Sequence, residues 1–254
     1  MYCGFNFDSK STKFDELDEF INKFYPAGLS LFSEHKKIIT KEINKFSSPD
    51  GVLNATDIQD NWFPNINADI FLSHSHADED FVISIAGYFF ETFNLVSFID
   101  SCVWGYSNEL LKLIDKKFCY NINTNTYDYS KRNNSTSHVH MILNSSLAKM
   151  IDNSECIIFI NTPNSTSPNE TINGKEKSYS PWIFSEILIT EIIQKKNQRI
   201  KKIASSKNYA FTEETLKIEY DLNLNHLYYL DWNDILNWHE IFISNENTKH
   251  PLDV

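Results

Sequence analysis

The chain has 254 residues, of which 41% are hydrophobic and 22% are charged. These fractions are close to the averages of globular proteins and exclude a disordered chain. The scarcity of Gly (6) and Pro (7) argues against collagen-like and low-complexity architectures. Asp and Glu (34) outnumber Lys and Arg (23), which gives a net charge of −11. Because nucleic-acid binders gain affinity mainly by neutralising phosphates, this charge disfavours a nucleic-acid partner.

Targeting features are absent from the sequence pattern. No apolar run approaches the ~20 residues that a membrane span requires, and the first residues have neither the basic leader nor the apolar core of a secretory signal. The four cysteines (Cys3, Cys102, Cys119 and Cys156) are far apart and form no CxxC pair. This argues against a disulfide framework and against a thiolate zinc site. We therefore expect a cytoplasmic protein that has no membrane partner and no metal.

The chain divides by its hydrophobic pattern near residue 66. Apolar residues at three- and four-residue steps predict two helices between residues 12 and 46, with a break at Pro26–Gly28. A polar stretch that continues to residue 67 is typical of a packed linker. The expected organisation is thus an N-terminal helical extension over residues 1–66 and a main domain over residues 67–254.

The main domain alternates between short apolar runs and helix-periodic segments. The runs predict strands and the periodic segments predict helices: strands over 69–73, 96–100, 156–160, 215–222 and 227–230, helices over 75–93, 110–118, 138–152, 180–196 and 232–243, and loops over 121–134 and 164–180. Ser75 and Asp78 have the spacing of a capping box at the start of the first of these helices. Strands that alternate with helices predict an α/β fold, in which a parallel sheet carries helices on both faces.

Candidate site residues gather where the predicted strands end. In such sheets, ligands bind outside the carboxyl ends of the strands. This rule brings Ser73 and His74, Asp100 and Thr162 to one edge.

The helix that begins near Ser180 offers a further candidate. Trp182 and Glu186 are four residues apart, so their side chains share one face of this helix. The helix is apolar on nearly every side, and a carboxylate there carries a desolvation cost unless it has a partner or a function. The alternative interpretation is an ordinary, partly exposed Glu beside a core Trp.

The segment after the second predicted strand presents two aromatic residues, Trp104 and Tyr106, around Gly105. Exposed aromatic residues on loops are typical of base-stacking and partner-binding surfaces. The alternative is that Trp104 folds back onto the core.

One short motif suggests a further function class, and the absence of others disfavours three. His74, His76 and Asp78 resemble part of the metal motif of metallo-β-lactamase-type hydrolases, but Glu79 stands where that motif has another histidine. His138 and His140 could add ligands, but side chains two residues apart on a helix diverge. Ordinary histidines at a strand-to-helix turn are therefore the favoured interpretation. The absence of GxGxxG, GxxxxGK and GxSxG disfavours dinucleotide-binding oxidoreductases, P-loop enzymes and α/β-hydrolases.

Four segments, taken in order, resemble a bacterial Toll/interleukin-1 receptor (TIR) domain. They are Ala68–Asp80, Ser97–Ser101, Glu155–Ile160 and Ser180–Glu186, and the resemblance covers about residues 70–240. The last of them is similar to the helix that carries the W-x-x-x-E pattern of the family. The resemblance implies a flavodoxin-like fold with a five-stranded parallel sheet.

The resemblance also implies two possible functions. Many bacterial and plant TIR domains cleave the nicotinamide–ribose bond of NAD⁺, and some form cyclic ADP-ribose signals in anti-phage defence systems such as Thoeris. Other TIR domains only assemble, and a non-catalytic interaction module is thus the alternative. In the enzyme, NAD⁺ is a substrate and no cofactor is required. The implied roles are catalysis by Glu186, substrate stacking by Trp182, and pocket contacts by Ser73, His74, Asp100 and Trp104. Self-association would involve Trp104 and Tyr106, and a separate effector would sense the product.

Overall fold

A five-stranded, all-parallel sheet forms the centre of the computed structural model, which describes residues 3–9, 17–35, 42–104, 107–166, 176–195, 219–244 and 250–253. In chain order the elements are β1 (Cys3–Asp8), α1 (Leu17–His35), α2 (Ala55–Trp62), β2 (Ile70–Ser73), α3 (Glu79–Phe93), β3 (Ser97–Phe98), α4 (Asp100–Val103), α5 (Ser107–Phe118), β4 (Tyr120–Asn121), β5 (Thr126–Tyr127), α6 (Tyr129–Asn153), β6 (Cys156–Asn161), β7 (Lys177–Ser178), α7 (Pro181–Lys195), β8 (Tyr220–Asp221), β9 (Tyr228–Leu230) and α8 (Trp232–Ser244). Short 3-10 turns lie at Ile43–Phe46, His76–Asp78 and Pro251–Asp253.

The sheet confirms the expected α/β class and the five parallel strands. The spatial order is β3-β2-β6-β1-β9. Flavodoxin-like sheets have the strand order 2-1-3-4-5. The observed order matches it when β2 is counted as the first strand, β3 as the second and β6 as the third. The N-terminal strand β1 then occupies the position of the fourth strand. Every residue of β2 and β6 is buried, because helices cover both faces of a parallel sheet. This burial explains why these two strands have nearly continuous apolar sequences.

The N-terminal strand β1 differs from the sequence-based expectation. It lies within the segment expected to be a helical extension, yet it pairs in parallel with β6 on one side and with β9 on the other. The sheet therefore does not begin at residue 67. The pattern Cys3-Gly-Phe-Asn-Phe-Asp8 did not identify this strand because glycine and polar residues interrupt it, so it lacks the continuous apolar run of β2 and β6. The strand expected over 215–222 is not in this sheet, since its described part, β8, pairs antiparallel with β7.

Helix α1 also belongs to the layers around the sheet. It runs through Pro26, where a break was expected, and it packs against α3. Two glycines lie at this contact. A Cβ atom on Gly28 would lie 2.1 Å from the carbonyl oxygen of Ile83, and one on Gly87 would lie 2.1 Å from that of Phe24. The close approach of the two helix backbones thus depends on residues without side chains.

The helices form two layers. Aromatic contacts join α8 to α1 and α3: Phe20 meets Trp232 edge-to-face at 5.0 Å, and Phe93 stacks on Trp238 at 4.3 Å. The helices α2, α5 and α7 all pack against α6. Helix α3 leads from β2 to β3, and α6 leads back from β3 to β6 on the other side of β2. Because βαβ crossovers are right-handed, these opposite directions place α3 and α6 on opposite faces of the sheet.

The loop expected over 121–134 is structured. The strands β4 and β5 form a hairpin, and α6 begins at Tyr129, nine residues before the expected start. The Asp128 side chain caps this helix by accepting a hydrogen bond from the backbone N–H of Lys131, 2.9 Å away. The first turns of α6 are exposed and polar, so they have no apolar periodicity that could reveal a helix. Within the described part of the chain, no helix combines the length and the apolar character needed to cross a bilayer.

Candidate active site

The structure brings Glu186 and Ser73 together at the carboxyl edge of the sheet. Ser73 ends β2, and Glu186 lies in the second turn of α7, which starts at Pro181. The Ser73 hydroxyl donates a hydrogen bond of 2.6 Å to the Glu186 carboxyl group. The exposed fractions of the two residues are 1% and 4%. Two residues that the sequence separates by 113 positions thus form one buried polar pair.

The environment of Glu186 favours its neutral form. Burial raises the pKa of Glu186 well above its ordinary value, and the nearby negative charge of Asp100 raises it further, while the hydrogen bond from Ser73 partly offsets both. Desolvation acts on the charged form of a carboxyl group, which is why burial is the largest cause. A carboxyl group perturbed in this way, at an edge where α/β folds bind ligands, marks a functional-site candidate.

Asp100 and Trp182 line a small cleft beside this pair. The cleft has a volume of about 60 Å³, and its remaining lining residues are His76, Ser101, Trp104, Ser107, Leu143 and Leu147. Glu186 is not among the described lining residues; it interacts with the cleft through the charge of Asp100. Pockets for small organic ligands usually measure about 300–1,000 Å³. The cleft as it stands is therefore smaller than such a pocket.

The two tryptophans of the cleft differ in their surroundings. Trp182 is half-buried and meets His140 edge-to-face, with 5.4 Å between ring centroids. Trp104 is 5% exposed and packs against Phe63 and Phe98, and its indole N–H donates a 2.8 Å hydrogen bond to the carbonyl oxygen of Pro64. Trp104 is thus a core residue that reaches the cleft, and not an exposed docking side chain.

Tyr106, the second residue expected to mediate self-association, lies outside the described residues, as does Gly105. The sequence-based expectation for Tyr106 therefore stays a prediction.

His74 is placed at the same edge. It is 9% exposed, and its Nδ1 atom lies 3.2 Å from the carbonyl oxygen of Leu72. Because a carbonyl oxygen only accepts, Nδ1 is the donor in this contact. Nε2 is buried and has no hydrogen-bond partner among the described residues. The ring of His76 lies 6.0 Å away, edge-to-face.

Asp78 is the N-cap residue of α3, but its side chain makes no capping hydrogen bond to that helix. Its carboxylate accepts hydrogen bonds from the Thr162 hydroxyl at 2.6 Å and from the Asn164 amide at 2.7 Å. The expected capping box is therefore wrong: the Ser75 hydroxyl accepts only a long bond from the N–H of Ala77. Among the described residues, no three His, Cys, Asp or Glu side chains form a group that could hold a metal ion.

A polar network behind β6 was not identified from the sequence. The Asn161 side-chain amide donates to Glu176 at 2.6 Å, and the Thr166 hydroxyl donates to the side-chain oxygen Oδ1 of Asn161 at 2.9 Å. Together with the hydrogen bonds of Asp78, these bonds connect the loop after β6 to the N-terminus of α3 and to Glu176. The available signal was the run of small polar residues that follows the apolar strand, Asn161-Thr-Pro-Asn-Ser-Thr166.

Comparison of the chain with protein-family models, with curated proteins and with solved structures gives no match. The assignment of the site therefore depends on its own geometry and chemistry.

Proposed function

We propose that this chain is a TIR-type NAD⁺ nucleosidase or cyclase, which acts in the bacterial cytoplasm and releases an ADP-ribose-derived signal in anti-phage immunity. The observation that carries the proposal is the buried Glu186 carboxyl group, held by the Ser73 hydroxyl where the parallel strands end. The sequence resemblance to TIR domains supplies the substrate, and the position of Trp182 one helical turn before Glu186 supports the same assignment.

The reaction requires one carboxylate near the ribose. When the bond between C1′ and the pyridinium nitrogen breaks, its electron pair leaves with nicotinamide, which departs neutral and needs no general acid. Positive charge then develops on the ribose, as in glycoside hydrolysis. An ionised Glu186 would stabilise this charge. Water, or a nucleophile of the substrate itself, then bonds to C1′ and gives its proton to the carboxylate.

The raised pKa of Glu186 is compatible with this role. The pyridinium of NAD⁺ is a cation, and a cation close to a carboxyl group favours its ionised form. Binding of the substrate therefore opposes the two influences, burial and Asp100, that raise the pKa of Glu186 in the empty site.

The proposal is tested by incubating the purified protein with NAD⁺ and separating nicotinamide, ADP-ribose and cyclic products by chromatography. Glu186→Gln removes the charge but keeps the side-chain volume, and we expect turnover to fall by about 10²–10³-fold or more. Glu191→Gln, on the same helix, is the matched control and should retain turnover. Full activity of the Glu186→Gln variant would disprove the assigned role.

The alternative function is a non-catalytic assembly module, and the small cleft is the observation that favours it. In that case the protein shows no turnover at any concentration, and its oligomeric state is unchanged by Glu186→Gln. If instead the cleft is completed by a second copy of the chain, turnover per molecule rises steeply with protein concentration. Light scattering combined with the NAD⁺ assay separates these outcomes.

A further inference from the structure

A locally basic segment lies in this otherwise acidic chain. Residues 112–132 contain five cationic side chains (Lys112, Lys116, Lys117, Lys131 and Arg132) and only two acidic ones, Asp115 and Asp128. Asp115 is buried and bonded to Arg132 at 2.9 Å, so its charge is compensated within the fold. Asp128 is the N-cap of α6. The end of α5 and the beginning of α6 therefore form a surface of positive charge.

A groove lies at this surface. We call it the α5–α6 groove; it has a volume of about 400 Å³ and is lined by Gly51, Leu53, Ile114, Phe118, Cys119, Lys131, Asn134 and Ser135. The side chains of Leu53, Ile114 and Phe118 make its floor apolar. Gly51 has a φ of 85°, and a Cβ atom there would meet nothing within 4 Å, so this end of the groove is open.

Two ammonium groups flank the groove. Lys131 is part of its lining. Lys117 lies beside the lining: its Nζ is 4.8 Å from the centroid of the Phe118 ring and donates a 3.0 Å hydrogen bond to the hydroxyl of Ser47, which pairs with Leu53 in an isolated β-bridge. The acidic group near the open end is Asp50, which is next to Gly51 in the turn and accepts a hydrogen bond from Ser48.

We propose that the α5–α6 groove binds an organic phosphate of nucleotide size, with its ring system against Ile114 and Phe118 and its phosphate facing Lys117 and Lys131. The volume is that of a small-ligand pocket. An apolar floor beside paired ammonium groups complements a ligand that has a flat, largely apolar ring at one end and negative charge at the other. Neither ammonium group is needed for the proposed NAD⁺ chemistry, so the two sites are independent.

Charge explains why a small anion fits better than a long polyanion. A mononucleotide interacts mainly with charges within about 10 Å, the screening length at moderate ionic strength, and residues 112–132 carry five cationic side chains against two acidic ones. A nucleic-acid strand would extend over the rest of the chain, whose net charge is strongly negative. The two sites also lie at different positions along α6. Ser135 lines the groove and Leu143 lines the cleft, and a rise over eight helical residues separates them by about 12 Å.

The test measures binding of AMP to the full chain by calorimetry, with adenosine and inorganic phosphate as partial ligands. We expect AMP to bind more tightly than either one, and its affinity to fall as salt is raised from 50 to 300 mM (an expected screening effect). Lys131→Gln should weaken AMP binding about tenfold, since it removes a charged hydrogen-bond donor. Asp50→Asn should tighten AMP binding by about two- to threefold, because it removes a like charge at the rim.

Two controls make the result specific. Lys149→Gln removes the same charge from α6 far from the groove, where Lys149 contacts Gln59, and it should leave AMP binding unchanged. Glu186→Gln should also leave it unchanged. The proposal is overturned if AMP does not bind, if Glu186→Gln but not Lys131→Gln alters AMP binding, or if an acidic peptide or a poly(dT) strand binds through Lys131 while AMP does not.

Discussion

Replacement of Glu186 by Gln should stabilise the protein, and increasingly so as the pH rises. The pKa of this carboxyl group is raised in the folded state by burial and by Asp100. Above the ordinary pKa of Glu, the unfolded chain therefore loses a proton that the folded chain retains, and the wild type loses stability as the pH rises toward the folded-state pKa. Glutamine has no proton to lose, so the variant lacks this dependence.

The magnitude follows from the same linkage. The wild type loses up to about 1.4 kcal/mol per pH unit across the window between the two pKa values. The advantage of the variant near pH 8 therefore grows by up to this amount for each unit by which the folded-state pKa of Glu186 exceeds its ordinary value. Each kcal/mol shifts the unfolding midpoint by about 2–4 °C in a chain of this size.

The assay is thermal unfolding of both proteins between pH 4.5 and pH 8.5, with Glu191→Gln as the matched control. We expect the midpoints of wild type and Glu186→Gln to be close at the acidic end and to diverge toward alkaline pH, while the control follows the wild type. A difference that does not change with pH, or a variant less stable than wild type at pH 8.5, would refute the raised pKa of Glu186. This measurement does not depend on any activity of the protein.

Two further predictions test the surroundings of the site and the place of α1 in the fold. Asp100→Asn removes the negative charge beside Glu186 and lowers the pKa of the Glu186 carboxyl group toward its ordinary value. At pH 8, Glu186→Gln should therefore raise the unfolding midpoint of the Asp100→Asn protein by less than it raises that of the wild type. An equal increase in the two backgrounds contradicts the coupling. Gly87→Ala places a methyl group 2.1 Å from the Phe24 carbonyl oxygen and should destabilise the fold by about 2–3 kcal/mol in chemical denaturation. The exposed Glu91→Ala on α3 should cost no more than about 0.5 kcal/mol; equal effects would place α1 outside the cooperative fold.

Local patterns identified the elements whose burial is uniform. The apolar runs of β2 and β6 and the periodicity of α3 and α7 match the described structure closely. These segments are buried on both faces or along one full stripe, so their composition alone records their environment. The exposed first turns of α6 and the half-polar strand β1 have no such apolar pattern, so the sequence did not predict them.

The candidate site divides in the same way. Helical spacing alone put Trp182 and Glu186 on one face, and the strand-end rule put Ser73 at the ligand edge. The hydrogen bond between Ser73 and Glu186, the burial of Trp104 under Pro64, and the position of β1 in the sheet were not predictable in this way.

Periodicity and short-range spacing are properties of neighbouring residues, and for this protein they determined the class of fold and the candidate residues of the proposed site. The pKa of Glu186, the width of the cleft and the basic groove between α5 and α6 depend on which distant segments meet. Desolvation and Coulomb interactions act through space, so only the tertiary structure decided that the pKa of Glu186 is raised.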